Sequence, residues 1–138
     1  MCTSHRLGLP DDLIAYLDDL EKRLSPLFIL LFGSHARGEA GRYSDYDLFI
    51  VATTLPHDYW ERQAFLRTRK PAWVDVVAFN PTELEQVLHR GLILDALLDG
   101  RLLRGDEAIF RQWREKACRY IERQGLRRTS WGYFRQVG

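Results

Sequence analysis

The stretch Leu31 to Val51, LFGSHARGEAGRYSDYDLFIV, leaves this chain few ways to fold. An apolar run, Leu27 to Phe32, stops at Gly33-Ser34. A short polar segment with Ala36, Arg37 and Gly38 follows, and Ser44-Asp45-Tyr46-Asp47 opens a second apolar run. Apolar runs of this length, bounded by glycine and polar residues, fit strands buried on both faces. Side chains alternate along a strand, so Asp45 and Asp47 project together and Tyr46 points the other way. Two carboxylates side by side at the start of a buried strand repel each other, and a cation is the usual remedy. Hard divalent ions such as Mg²⁺ take oxygen ligands and commonly use one or two carboxylates plus substrate phosphates.

Gly33-Ser34 supplies the phosphate half of the same arrangement. Glycine lets the backbone come close to a ligand, and a helix beginning at Ser34 aims its free N–H groups at an anion. The Ser34 hydroxyl adds a donor. Arg37, one turn on, either reaches the same anion or ties the helix to the Asp-bearing strand by a salt bridge. His35 reads as a surface histidine.

These residues resemble the nucleotidyltransferase superfamily typified by DNA polymerase beta, and most closely its minimal, stand-alone (MNT) branch. The family pattern is Gly-Ser, ten residues, then Asp-x-Asp; here His35 to Ser44 separate Gly33-Ser34 from Asp45-Tyr46-Asp47. The resemblance implies an α/β (α+β) fold, a mixed sheet flanked by helices. It implies that Asp45 and Asp47 hold two Mg²⁺ ions, with Mn²⁺ as the alternative, and that Gly33-Ser34 clamps the phosphates of an NTP, ATP by family analogy.

A third carboxylate belongs on the strand after the Asp-x-Asp strand in that family. Ala72 to Phe79, opened by Pro71, reads as this strand, and Asp75 is its one acidic residue. Alternation places Asp75 on one face with Trp73, Val77 and Phe79. A carboxylate among Val74, Val76 and Val77 is costly unless paired or bound to a cation, or unless the strand is an edge whose Asp faces water. By resemblance Asp75 is the third metal ligand, nearest the acceptor.

At 138 residues and 46% hydrophobic content the chain is expected to form a single domain, residues 1–138, around one real core. The net charge of +1 argues neither for a nucleic-acid coat nor for an acidic tail, and direct nucleic-acid binding is not the expectation, though the basic tail leaves it open. Residues 101–138 carry ten Lys+Arg against four Asp+Glu, a local +6; this part is the candidate surface for an acidic partner. Cys2 and Cys118 lie far apart, and the four histidines form no zinc pattern. There is no signal peptide and no apolar run long enough to span a membrane, which points to the cytoplasm. Walker-type and dinucleotide-binding glycine loops are absent.

Along the chain, Met1 to Leu9 reads as a leader. A helix starting at Pro10 buries Leu13, Ile14, Leu17, Leu20 and Leu24 and ends at Ser25-Pro26. The helix opened by Ser34 runs to about Gly41, and Asp45 to Thr53 is a central strand. A helix from Pro56 to about Arg69 buries Tyr59, Trp60, Phe65 and Leu66 and turns Arg62, Arg67 and Arg69 to water. Pro81 to about Arg90 and Leu92 to Leu98 are helical or apolar segments, Arg101 to Arg104 is a short strand, and Glu107 to Gln124 is an amphipathic helix. The tail, residues 125–138, interleaves arginines with Trp131, Tyr133 and Phe134; it is either a docking surface or a segment folded back onto the core.

Three carboxylates facing a polyphosphate turn suit two-metal phosphoryl chemistry. By resemblance the reaction moves a nucleoside monophosphate from an NTP to a hydroxyl and releases pyrophosphate. Only 63 residues follow Asp75, few for the separate helical domain of antibiotic nucleotidyltransferases or the extra RNA-binding domains of poly(A) and CCA-adding enzymes. The minimal branch looks like the antitoxin half of bacterial and archaeal toxin–antitoxin pairs, so the resemblance implies a small all-helical HEPN ribonuclease as partner and adenylylation of a tyrosine on that toxin. Two alternatives stay open: transfer to an aminoglycoside-like small molecule, and neutralisation of a partner by binding alone.

Overall fold

The computed structural model describes residues 8–38 and 45–135. Residues 1–7 of the leader, with Cys2 and His5, residues 39–41 of the expected second helix, Ser44 of the motif and the last three residues of the tail lie outside the described residues; Leu9, expected in the leader, is buried in the core.

Helix α1 (Asp11–Leu24) starts with Asp11 and Asp12 in its first turn and ends with Lys22 and Arg23 in its last, each charge opposing the nearby end of the helix dipole. Ser25, at a left-handed φ of 46°, terminates it. Leu13, Tyr16, Leu17, Leu20 and Leu24 make its buried face. Tyr16 joins the expected set because its hydroxyl finds an acceptor, the Leu66 carbonyl at 2.6 Å; Ile14 is only half-buried.

Four strands form the main sheet: β1 (Phe28–Phe32), β2 (Tyr46–Val51), β3 (Val74–Phe79) and β4 (Arg101–Gly105), in the order β3-β2-β1-β4. Strand β1 runs antiparallel to both β2 and β4, and β2 runs parallel to β3. The sheet is therefore mixed and flanked by helices, as the fold class implied. Its two central strands are the two apolar runs on either side of the glycine turn, because only strands covered on both faces tolerate unbroken apolar sequence. All five residues of β1 are buried.

Alternation divides these strands between two cores. Ile29, Leu31, Leu48 and Ile50 face α1 and Leu66 of α3 (Tyr59–Arg67). Phe28, Leu30, Phe32, Phe49 and Val51 face the other way. There they meet Leu84 of α4 (Pro81–Val87), Ile93, Leu94 and Leu97 of α5 (Gly91–Asp99), and Phe110, Trp113 and Ala117 of α6 (Glu107–Gln124). The result is three layers, helix, sheet, helix.

Helix α3 departs from its sequence reading. Tyr59 and Trp60 are exposed, Trp60 at 76%. They occupy the first turn and stack edge-on upon each other instead. Arg62, expected in water, is 9% exposed. Its guanidinium donates to the Pro56 carbonyl and to Glu83 Oε1, each at 2.8 Å. Glu83 also closes a capping box with Asn80 at the start of α4, so one ion pair joins two helices lying on opposite sides of strand β3 in the chain. Burial pushes the Glu83 carboxyl up, but the Arg62 and Asn80 hydrogen bonds outweigh it and hold it below the usual range.

Strand β3 begins two residues later than expected, at Val74, and is an edge. Lys70 folds over its start, donating to the Pro71 and Val74 carbonyls at 3.2 and 2.5 Å, and blunts that edge. Trp73 precedes the strand and escapes its alternation. It packs beside Tyr46 on the α1 side, away from the face that carries Val77 and Phe79.

The tail folds into a hairpin, β5 (Leu126–Thr129) and β6 (Gly132–Arg135). Leu126 and Tyr133 pack against the second core, while Trp131 and Phe134 stay exposed, at 90% and 55%. The tail is thus folded back onto the core along one face, with two of its aromatic rings left exposed.

Candidate functional site

A cleft of about 370 Å³ opens where the C-terminal end of β1 meets the N-terminal ends of β2 and β3, under α5. Gly33, Arg37, Asp47 and Asp75 line it, with Phe32 behind them and Asp95 opposite. Glycine at position 33 is demanded twice. Its φ of 75° with ψ of −156° is a conformation that other residues avoid, and a Cβ there would strike Asp47 Oδ2. The turn therefore lies directly against the carboxylate.

Helix α2 (Ser34–Arg37) is a single turn that begins at Ser34 and stops at Gly38 in the left-handed region. Ser34 is half-buried, and Arg37 is exposed at the cleft rim. His35 is not the surface residue its position suggested: it is half-buried and stacked on Tyr46, ring centres 3.7 Å apart and planes 11° off parallel. Tyr46 in turn meets Trp73 edge-on. This aromatic stack holds the glycine turn to the start of β2 on the face away from the carboxylates.

Asp47 and Asp75 stand opposite each other in the parallel register of β2 and β3, which puts both on the same face of the sheet. Burial raises the Asp47 pKa, and the Asp75 and Asp45 charges raise it further, against smaller opposing contributions from His35 and Arg37. Asp45 lies one residue before β2 and is exposed; its field reaches Asp47 although it does not line the cleft. Asp75 is exposed too. The expected desolvation cost at Asp75 is thus absent, because β3 is an edge and the carboxylate faces water. What sets Asp75 apart is its register neighbour.

Among the described residues no three His, Cys, Asp or Glu side chains converge as they would around a bound ion. Two adjacent carboxylates, one of them paying a like-charge penalty, do suit a hard divalent cation whose remaining ligands are phosphate oxygens and water. The donor set fits Mg²⁺ in that form.

Asp95 escaped sequence reading. It reaches the cleft from α5, where it accepts from the Tyr133 hydroxyl at 2.9 Å and pairs with Arg128 at 2.9 Å. The available signal was a lone carboxylate inside the apolar segment Gly91-Leu-Ile-Leu-Asp-Ala-Leu-Leu98.

The sequence model of the nucleotidyltransferase domain family matches residues 13–102, from the first buried leucine of α1 into β4. The chain belongs to this family. A candidate protein adenylyltransferase of Methanocaldococcus jannaschii is 51% identical to it over 39 residues, 28% of this chain and 26% of that protein. The chain thus matches about a quarter of that relative's length. Among solved structures, the nucleotidyltransferase fold recurs in a toxin–antitoxin crystallised with AMP-PNP, at 20% identity and a TM-score of 0.58 over 84% of this chain and 90% of the other. It recurs again in the complex of tri-AMPylated Shewanella oneidensis HEPN toxin with MNT antitoxin, at 18% identity and a TM-score of 0.53 over 83% and 85%.

Proposed function

We propose that this nucleotidyltransferase is the antitoxin of a HEPN/MNT pair and transfers AMP from ATP to a tyrosine hydroxyl of a small all-helical HEPN ribonuclease in the cytoplasm. The observation that carries the reading is the Asp47–Asp75 pair set beside the Gly33 turn in one cleft. The family supports nucleotidyl transfer. The tri-AMPylated toxin and the AMP-PNP complex among proteins of like fold favour ATP and a protein acceptor. No helix of the described residues is long and apolar enough to cross a membrane.

In this reading the Gly33-Ser34 turn and Arg37 bind the β and γ phosphates, which sets the α-phosphate against the carboxylates. Mg²⁺ held by Asp47 and Asp75, with Asp45 and a second ion added as the family resemblance implies, would supply charge neutralisation at the phosphates. The acceptor oxygen bonds to the α-phosphorus, the bond from that phosphorus to the bridging oxygen breaks, and pyrophosphate leaves in line. Asp75, on the open edge of the sheet, takes the hydroxyl proton. Ser34 and Arg37 steady the departing pyrophosphate, since charge grows there as the bond breaks.

The test is incubation with α-³²P-ATP and Mg²⁺, with and without the protein encoded beside this one. Label on a tyrosine of the neighbour, lost with Asp45→Asn or Asp47→Asn, is the expected result. Tight complex formation without label on any protein would overturn transfer to a protein and leave inhibition by binding or a small-molecule acceptor.

A further inference from the structure

A second cleft, of about 560 Å³, adjoins the first and shares Arg37 and Asp95 with it. Its far wall is the turn of the C-terminal hairpin: Arg128, Thr129, Ser130 and Trp131. The hairpin lies beyond the residues that the family model matches, 13–102. It is not a loose appendage. Arg128 is ion-paired with Asp95 and Asp99, and the Tyr133 hydroxyl donates to Asp95. At the turn, Thr129 Oγ1 donates to the Gly132 carbonyl at 3.0 Å and accepts from the Trp131 N–H at 3.2 Å. A pinned platform thus presents an indole that is 90% exposed, which core formation does not explain.

We propose that this cleft is the nucleoside subsite, with the base of the NTP stacked on Trp131. The assignment rests on the nucleotidyl-transfer reading above, which fixes the direction of the substrate. In-line displacement requires the acceptor to approach from the side opposite the departing pyrophosphate. With the β and γ phosphates at Gly33 and Arg37, that side is the Asp75 flank, where a separate cleft of about 200 Å³ lies beside Gln63, Arg67 and Lys70. The nucleoside leaves the α-phosphorus to the side of that line, and the hairpin cleft, which meets the first at Asp95 opposite the carboxylates, is the cleft left for it. Its volume falls within the range of small-molecule sites, and its mix of one exposed aromatic face with the Ser130 hydroxyl and polar neighbours suits a base and a ribose. Stacking is indifferent to base identity, so Trp131 contributes affinity more than choice among purines.

Two probes separate this proposal from the reading beneath it: α,β-methylene-ATP, which cannot donate its nucleotide, and inorganic tripolyphosphate, which has no nucleoside. Binding of each to the full chain with Mg²⁺ is measured for the wild type, Trp131→Ala and Trp131→Phe, with melting temperature as the folding control. Trp131→Ala is expected to weaken α,β-methylene-ATP about tenfold and leave tripolyphosphate unchanged, with Trp131→Phe recovering most of the loss. Unchanged α,β-methylene-ATP binding in Trp131→Ala would overturn the subsite, as would equal loss of both probes, which would make the hairpin a support for the phosphate site. A wild type that binds neither probe would overturn the nucleotidyl-transfer reading together with the subsite.

Discussion

Gly33 and Asp47 test the site most sharply as single residues. Gly33→Ala places a methyl where Asp47 Oδ2 stands, in a backbone conformation reserved for glycine. It is expected to cost about 2 kcal/mol of stability and to lower nucleotidyl transfer by at least about 100-fold; wild-type turnover in a folded Gly33→Ala protein would disprove the placement of the phosphate turn. Asp47→Asn should separate activity from stability. Asp47 binds its proton more tightly in the folded chain than its ordinary value of 3.8 would give, so folding loses stability as pH rises from that value through the raised one. The amide carries no charge to desolvate or repel. In metal-free buffer the variant should melt higher than wild type at pH 7, with the gap closing below pH 3.8, while transfer falls at least about 100-fold. A lower melting point at pH 7 would refute the electrostatic account. Both residues were legible from the Gly-Ser and Asp-x-Asp spacing, because a tight turn and paired carboxylates depend on residue type at short range. The aromatic stack of His35 on Tyr46 was not, since it joins residues of two different elements.

At the scale of elements, the joints between helices depend on a few buried or half-buried ions. Arg62 and Glu83 connect α3 to α4, and Glu83→Gln leaves the nearly buried guanidinium without its counter-charge. A loss of about 2 kcal/mol in chemical denaturation is expected. Because the folded Glu83 pKa lies below its ordinary value of 4.5, the wild-type advantage is present above that pH and disappears as pH falls through the folded value. A gap between the two proteins that is the same at pH 3 and pH 7 would refute it. The hairpin is joined to α5 in the same way: the Arg128 hydrogen bond holds the Asp99 carboxyl below the usual range. Acid should therefore loosen β5 from α5 before the sheet melts, read as faster amide exchange in Arg127 to Thr129 as pH falls below 3.8; Asp99→Asn should show the same exchange at neutral pH. Sequence periodicity located the helices and the four strands of the main sheet to within a few residues, but not the strands of the hairpin. It missed the burial of Arg62 and the exposure of Trp60, because a helix turn is buried only if something lies over it, and what lies over it is set by neighbouring elements.

Across the whole molecule, the sheet separates two cores that share its strands. Ile50 and Ile93 are each buried, one on either face. Ile50→Val and Ile93→Val should each cost about 1 kcal/mol. Being in different cores, they should add to about 2 kcal/mol in the double variant, within a single unfolding transition. Two separate transitions would show that the faces unfold independently. The same geometry brings the glycine turn, two carboxylates and the hairpin to one end of the sheet.

The sequence by itself determined the nature of the segments: which runs become strands, where the turn must bend tightly, and which carboxylates stand at the strand starts beside it. Those properties depend on alternation, helical period and backbone sterics, all acting within a few residues. Only the tertiary structure decided that β3 is an edge with Asp75 open to water, that Asp95 completes the cleft wall, and that the tail becomes a hairpin anchored on α5. These depend on which elements come to lie side by side after the chain has crossed the sheet, and pairing between distant segments leaves no periodic mark in the residues that make it.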